Sequence, residues 1–470
     1  MTTEPPAARP PSSERTLSAS PPPPRPTDEV LVASPTSTAV DDWMASHPVF
    51  ASKARGIRVR ALRFTASWFS VTMGTGIVNT LLFDLPFASA HAAFRAIGSA
   101  WLILDIILFI AFTFLTLARY YLYPKIFWAM IRHETHSLFL GTIPMGFVTI
   151  VSGIAATGHE YGLNTLNTAL VLYWIIVAMS LLCAFGVPYF MFTSHRRQMP
   201  EITAALLLPV VPLITNASVS ATICKLLLEQ TPPRTTYCLT MLVGGYLQGG
   251  IGALLAAMIV TLYIQRLILH HLPPRDVITS AFLPVGPIGQ FGYATIELGR
   301  VSCQLFPLIS TSSHAPELAL LGPPLLGTAI FVGLLLWGLG IWFMFFAIAS
   351  IVTQMVRHHN PEEEKLALFN MGWWAWTFPI GSLTLLTFSL ATVFDSSFFR
   401  ICSAILTFSV LLLWTAVFIP TAIGFFRGTL FAAPCLQSLP KEYVERMRPK
   451  VTGAEEREGK EGNGGREGEE

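Results

Sequence analysis

Nothing in this sequence is arranged for covalent chemistry. Its six cysteines (Cys183, Cys224, Cys238, Cys303, Cys402 and Cys435) form no CxxC and have no histidine at metal spacing, so neither a zinc nor a redox site is expected. No Walker loop, Ser/His/Asp set or Cys/His pair stands out. The residues that remain suit the handling of an ion in apolar surroundings. Asp105 sits in the middle of the apolar run Leu102–Thr116, and Glu297 lies near the end of another. Acids at membrane depth are costly and mark candidate function, which makes Asp105 a proton-relay candidate and places Glu297 within reach of an interface. Gln290, inside the broken segment 283–292, has an amide for a passing oxyanion or for a freed backbone group. Phe378 directly precedes Pro379 in the aromatic run 373–379. A bulky ring beside a bend can plug a narrow pore by excluding water, and the same ring can simply pack. Trp373 and Trp374 read as an aromatic belt at a membrane edge.

The elements that would position these residues are legible in the composition. Of 470 residues only 12% are charged, and 52% are hydrophobic, against roughly 25% charged in soluble domains. Residues 1–63 hold 14 of the 58 charges and residues 427–470 hold 17. So few charges between them cannot cover a soluble surface. That excludes a cytosolic enzyme, a nucleic-acid binder and a disulfide-stapled secreted domain. A span needs about 20 apolar residues. Ten stretches qualify: 64–84, 95–118, 137–158, 168–190, 202–224, 237–264, 277–300, 320–354, 370–394 and 399–426. The expected fold is an all-α polytopic membrane protein. Residues 1–60 read as a disordered cytosolic tail, 61–430 as the transmembrane domain and 431–470 as a C-terminal cytosolic tail. The first apolar run begins near Phe64, too late for a cleaved leader.

Basic residues set the orientation. Nine lie in one set of loops (among them Arg119, Arg197, Arg266 and Arg275) and five in the other, including Lys225 and Arg300. The richer set shares its side with the basic clusters that flank the first and last spans, so both termini are expected in the cytosol. The odd spans differ from the even ones. They carry Gly74 and Gly76, Pro144, Pro209 and Pro212, Pro287, and Pro379 inside their bounds. Proline removes a backbone donor and bends a helix, and freed backbone is tolerated at depth where it is buried in protein or lines a cavity. The odd spans are therefore expected to form an inner ring of bent helices, and the even ones an outer ring. With no Lys or Arg in mid-span, an anion path would rely on backbone N–H groups and helix dipoles. Gly245 and Gly249 on the sixth span permit close helix contact, within a hairpin or between subunits. Cys224 and Cys238 flank one short outer loop, as two free thiols or as a bridge.

The first span, Trp68-Phe69-Ser70-Val71-Thr72-Met73-Gly74-Thr75-Gly76-Ile77, resembles the opening of the tellurite-resistance/dicarboxylate transporter family. That family includes plant slow anion channels, fungal malate transporters and fungal sulfite efflux pumps. The stretches Gly141–Ile150, Gly286–Gln290 and Thr377–Gly381 look most like the sulfite pumps, and the similarity covers roughly residues 60–430. The resemblance implies ten helices in five hairpins around a central pore, usually as a trimer, with no cofactor and with Phe378 as the pore-occluding ring. Gly74, Thr75, Gly76, Pro144, Pro209, Pro212, Pro287, Gln290 and Pro379 would then line the anion path. The implied function is export of sulfite or hydrogensulfite across a fungal plasma membrane, with the lipid bilayer as surroundings and no nucleic-acid partner. A C4-dicarboxylate (malate) transporter, proton-coupled or not, is the alternative. A dianion with two carboxylates calls for a fixed basic partner, and none lies in mid-span.

Overall fold

The computed structural model describes residues 57–85, 91–160, 165–310, 317–357, 369–431, 433–436 and 443. The expected N-terminal tail to residue 56, and nearly all of the C-terminal one, lie outside the described residues. Among the described residues every regular element is helical. In chain order they are α1 (Ile57–Arg63), α2 (Phe69–Phe83), α3 (His91–Leu122), α4 (Pro124–Arg132), α5 (Thr142–Glu160) and α6 (Leu166–Thr193). Then follow α7 (Val211–Leu228), α8 (Thr235–His270), α9 (Val285–Ser310), α10 (Leu318–Arg357), α11 (Thr377–Val393) and α12 (Ser397–Arg427). The short amphipathic α4 was hidden in what the sequence presents as a loop. It buries Ile126, Met130 and Ile131 against the segment that carries Cys435.

Burial separates two classes of helix. In their apolar windows α5, α7 and α11 are 67% to 83% buried, whereas α3, α6, α8, α10 and α12 are only 17% to 44% buried. The inner helices close a circuit: α2 packs on α5, α5 on α7, α7 on α9, α9 on α11, and α11 back on α2. Each outer helix covers a seam of that circuit. Thus α3 lies on α2 and α5, α6 on α5 and α7, α8 on α7 and α9, α10 on α9 and α11, and α12 on α11 and α2. Large apolar side chains such as Phe114, Leu182, Leu254, Phe331 and Leu412 stay exposed on the outer faces, as expected of surfaces that meet lipid chains.

Eight helices among the described residues are long and apolar enough to cross a membrane, where ten were expected. The two that fall short are inner helices. α2 has only 15 residues, and α9 is diluted by Gly286, Gly289, Gln290, Gly292, Glu297 and Arg300. A helix shielded from lipid by its neighbours does not have to be apolar all round.

The prolines expected to interrupt the inner spans do not bend the middle of α-helices, which corrects that expectation. Each inner helix is entered through a 3-10 segment: Ala66–Trp68, Leu138–Gly141, Ala204–Leu207, Arg275–Phe282 and Met371–Trp376. Pro144, Pro287 and Pro379 are the third residues of α5, α9 and α11. Pro212 is the second residue of α7, with Pro209 in the turn before it. In a first turn the N–H that proline lacks has no intrahelical partner anyway. The break is therefore a junction from 3-10 to α at one end of the ring. The lead-in also turns Trp374 inward, so it is fully buried rather than set in a membrane-edge belt. Its indole donates to Thr421 Oγ1 of α12 at 3.0 Å.

Glycine sets how closely the inner helices approach. A Cβ on Gly289 of α9 would sit 2.7 Å from both Leu383 Cα and the Ser382 carbonyl carbon of α11. One on Gly74 of α2 would meet the Trp374 ring at 2.7 Å. The Gly245/Gly249 pair faces Ser220 and Ala217 of α7, so it packs α8 on its chain neighbour. Cys224 and Cys238 are both free and buried, and the Cys224 thiol donates to the Cys238 carbonyl at 3.4 Å.

Replacing Gly289 by Ala should therefore force α9 and α11 apart at a point where backbone cannot yield. The expected loss is about 1–3 kcal/mol, the usual range for overpacking, read as a lower melting temperature and less monodisperse protein in detergent. Gly338→Ala, where nothing lies within 4 Å of the new methyl, should behave as the parent. Equal behaviour of the two variants would refute the close-approach argument.

Candidate anion pathway

The inner helices run in the same direction, and a cavity opens at each end of their ring. The cavity at their N-terminal ends is about 350 Å³ and is lined by Ser70, Thr142, Ala205, Thr279, Ser280 and Gly372, with Arg197, Glu201 and Arg266 around it. These residues come largely from the 3-10 lead-ins and the loops before them. The cavity at the C-terminal ends is about 240 Å³ and is lined by Asn79, Asp84, Ser152, Thr157, Thr222, Lys225 and Tyr293. The two share no lining residue. On α2 the first ends at Met73 and the second begins at Asn79, a step of about 9 Å along the helix. Tightly packed protein closes the ring between them.

The sequence-selected residues fall in or beside that closed zone, and their contacts differ. Phe378 is the second residue of α11, buried to 2% exposure, just past the Ala375 that lines the first cavity. Pro379 packs against Gly286 of α9, one residue before Pro287. Gln290 is buried, and its Nε2 donates to Ser218 Oγ of α7 at 2.8 Å. Its Oε1 has no partner among the described residues. Gly74 faces Trp374 and Thr377, while Gly76 faces Thr149 and Asp105. Thr75 points elsewhere: its hydroxyl donates to Val71 O at 2.7 Å and accepts from the Trp414 indole of α12 at 3.1 Å. Pro144, Pro209 and Pro212 lie at the N-terminal ends of α5 and α7 and do not line the first cavity.

Asp105 is fully buried where α3 meets α2 and α5. Its Oδ2 lies 3.4 Å from Thr149 Oγ1, a hydroxyl that also lies 2.8 Å from the Gly146 carbonyl. Its Oδ1 has no partner among the described residues. Glu297 is buried and clasped. Lys225 of α7 bonds one carboxylate oxygen. Arg300 donates to the other at 3.1 Å and Ser389 of α11 donates to it at 2.8 Å. One carboxylate thus joins three inner helices beside the second cavity. The sequence presents Lys225 and Arg300 as loop charges; Arg300 stands three residues after Glu297 on the same helix, a local signal for the pair, whereas Lys225 lies on another helix and its spacing gives none.

Other counted arginines are fasteners as well. Arg266 is 3% exposed and gives Nε and Nη2 to the Pro200 carbonyl at 3.2 and 3.0 Å, and Nη1 to the His271 carbonyl. Arg275 bonds the Gln354 carbonyl at 2.9 Å. Beside the first cavity, burial pushes His136 down to about 3, helped by His133 and Arg119. That ring is neutral near pH 7, so the positive charge at this end resides on arginine.

Residues 63–422 match the SLAC1 voltage-dependent anion channel family. The chain belongs to that family. Its members are channels and transporters rather than enzymes, and the chain is a multi-pass membrane protein of the anion-transporting kind. It is 34% identical over 356 residues to the sulfite efflux pump SSU1 of Arthroderma benhamiae, covering 76% of this chain and 89% of that one. It is 27% identical over 334 residues to the pump of the same name from Candida albicans, covering 68% and 65% of the two chains. The malic acid transport protein of Schizosaccharomyces pombe is more distant, 24% identical over 357 residues and 76% and 77% of the chains.

The clasp predicts a graded loss. Glu297→Ala strands Lys225 and Arg300 and should lower the melting temperature clearly. Both cations are partly exposed, so the cost should fall below the roughly 3–5 kcal/mol of a fully buried broken pair. Glu297→Gln keeps an acceptor for Ser389 and should cost less. If both variants melt with the parent, the clasp does not hold the ring.

Proposed function

We propose that this protein exports sulfite or hydrogensulfite across the plasma membrane of a fungal cell. In this reading ten helices cross the bilayer as five hairpins, both termini are cytosolic, three copies assemble as a trimer, and each ring holds its own pore. The observation that carries it is the closed circuit of five inner helices, with a cavity at each end and, among the described residues, neither Lys nor Arg between them. The nearer named relatives, which are sulfite efflux pumps, supply the substrate class. A small oxyanion can pass a weak field of helix N-termini and hydroxyls, because tight binding would stop it leaving. The N-terminal cavity then faces the cytosol, on the side of the richer basic loops. Two inner helices too short or too polar to qualify alone are consistent with ten crossings, since the outer helices shield them from lipid.

Phe378 is the proposed gate. Its ring lies at the inner end of the closed zone on the helix that Pro379 starts, and an apolar ring there breaks the water column. Asp105, buried behind the ring with one oxygen unpartnered, is the proposed proton-carrying group.

Deletion of the gene should make cells sensitive to sulfite, and re-expression should restore export. If sulfite tolerance is unchanged while malate transport is lost, the dicarboxylate reading replaces this one.

In proteoliposomes, Phe378→Ala should carry a several-fold larger anion flux than the parent at equal reconstitution. Unchanged or smaller flux from a well-folded variant would make Phe378 a packing residue. Asp105→Asn should abolish any dependence of flux on an imposed proton gradient, and persistence of that dependence removes Asp105 from the mechanism.

A further inference from the structure

Two arginines line the cavity at the N-terminal ends of the inner helices, and they are in opposite states. All three nitrogens of Arg266 are engaged by the Pro200 and His271 carbonyls. Arg197 makes no hydrogen bond or ion pair among the described residues, although its Nε and Nη2 are shielded from bulk water. Shielded guanidinium donors without acceptors are costly, and a planar fork of donors matches two oxygens of an oxyanion.

The nearby acids do not fill that vacancy. Glu201, on the same cavity wall, accepts the Gln198 backbone N–H at 3.2 Å. Glu134 accepts the Arg196 backbone N–H at 3.0 Å. Each is pinned to the backbone beside Arg197 rather than to its side chain. They keep the local field shallow, which suits an ion that must move on. Ser280, another lining residue, also has a hydroxyl with no partner among the described residues. The far cavity offers the contrast, because its Lys225 is held by Glu297.

Resting on the export reading above, we infer that Arg197, with Ser280 in the same cavity, forms an intracellular capture site for small oxyanions. The anion is bound loosely from the cytosol before it enters the closed zone. At the opposite end Lys225 already has a carboxylate partner in Glu297, so it is not free to grip the anion as it leaves.

The test uses the full-length protein in oriented membrane vesicles, with sulfite titrated on the cytosolic face. Arg197→Gln should raise the sulfite concentration for half-maximal flux about five- to tenfold, as expected for losing one charge-assisted contact, with a smaller change in maximal flux. Arg197→Lys should recover part of the loss. Titration from the opposite face should give the same half-maximal concentration as the parent. An unchanged half-maximal concentration, or a fall in maximal flux alone, overturns the site.

A second readout does not depend on transport. Sulfite should raise the melting temperature of the purified parent, and the concentration needed should be several-fold higher for Arg197→Gln and for Ser280→Ala. Identical titrations for parent and variants would also overturn the site. A parent that responds to sulfite in the melt yet carries none in vesicles would sink the export reading and leave the capture site standing.

Discussion

The structure depends on backbone meeting backbone in the inner ring. Gly289 lets α9 rest on the main chain at Ser382 and Leu383 of α11, and Gly74 lets α2 rest on the Trp374 ring. Any side chain at these points would open the circuit. Small residues are how helices pack tightly without a hydrophobic drive between them. The first-turn prolines complete the device in α5, α7, α9 and α11, since they start those α-helices at a fixed place and leave the 3-10 lead-in free to turn away and wall the cavity.

Close packing brings many hydroxyls into the ring, and most are already satisfied locally. Thr72, Thr149 and Ser218 donate to carbonyls three residues back, and Thr75, Thr384 and Thr387 to carbonyls four back. Such bonds compete with nothing outside the helix. The wall is polar without a strong field, in keeping with an ion that is passed rather than held. Outside the ring the demand is reversed, and the outer helices carry apolar side chains outward because only lipid meets them.

Fixed charge is therefore confined to the ends, and the ends are unlike. One has an arginine network that ties loops together around Arg266, with Arg197 beside it. The other has a single carboxylate, Glu297, that collects Arg300 from its own helix and Lys225 and Ser389 from the two neighbouring inner helices. Both networks fasten the ring where the helices emerge, which leaves its middle free of ions.

The sequence by itself determined the all-helical membrane class, the approximate span boundaries and the division into inner and outer helices. Segregated charge, apolar length and prolines set inside the odd spans but mostly near the ends of the even ones are one-dimensional signals, and they survive any packing. It also marked Asp105, Gln290 and Phe378 as residues worth weighing, because an acid, an amide or a ring at a break is unusual there. Only the tertiary structure decided that the prolines begin helices instead of bending them. It also turned Thr75 toward Trp414, buried Trp374 and bound Glu297 to Lys225 across two helices. It separated Arg266, whose donors are filled, from Arg197, whose donors are not. Those outcomes depend on which faces meet when the ring closes, and neighbours 72 and 92 residues apart, such as Glu297 with Lys225 and with Ser389, leave no trace in local spacing.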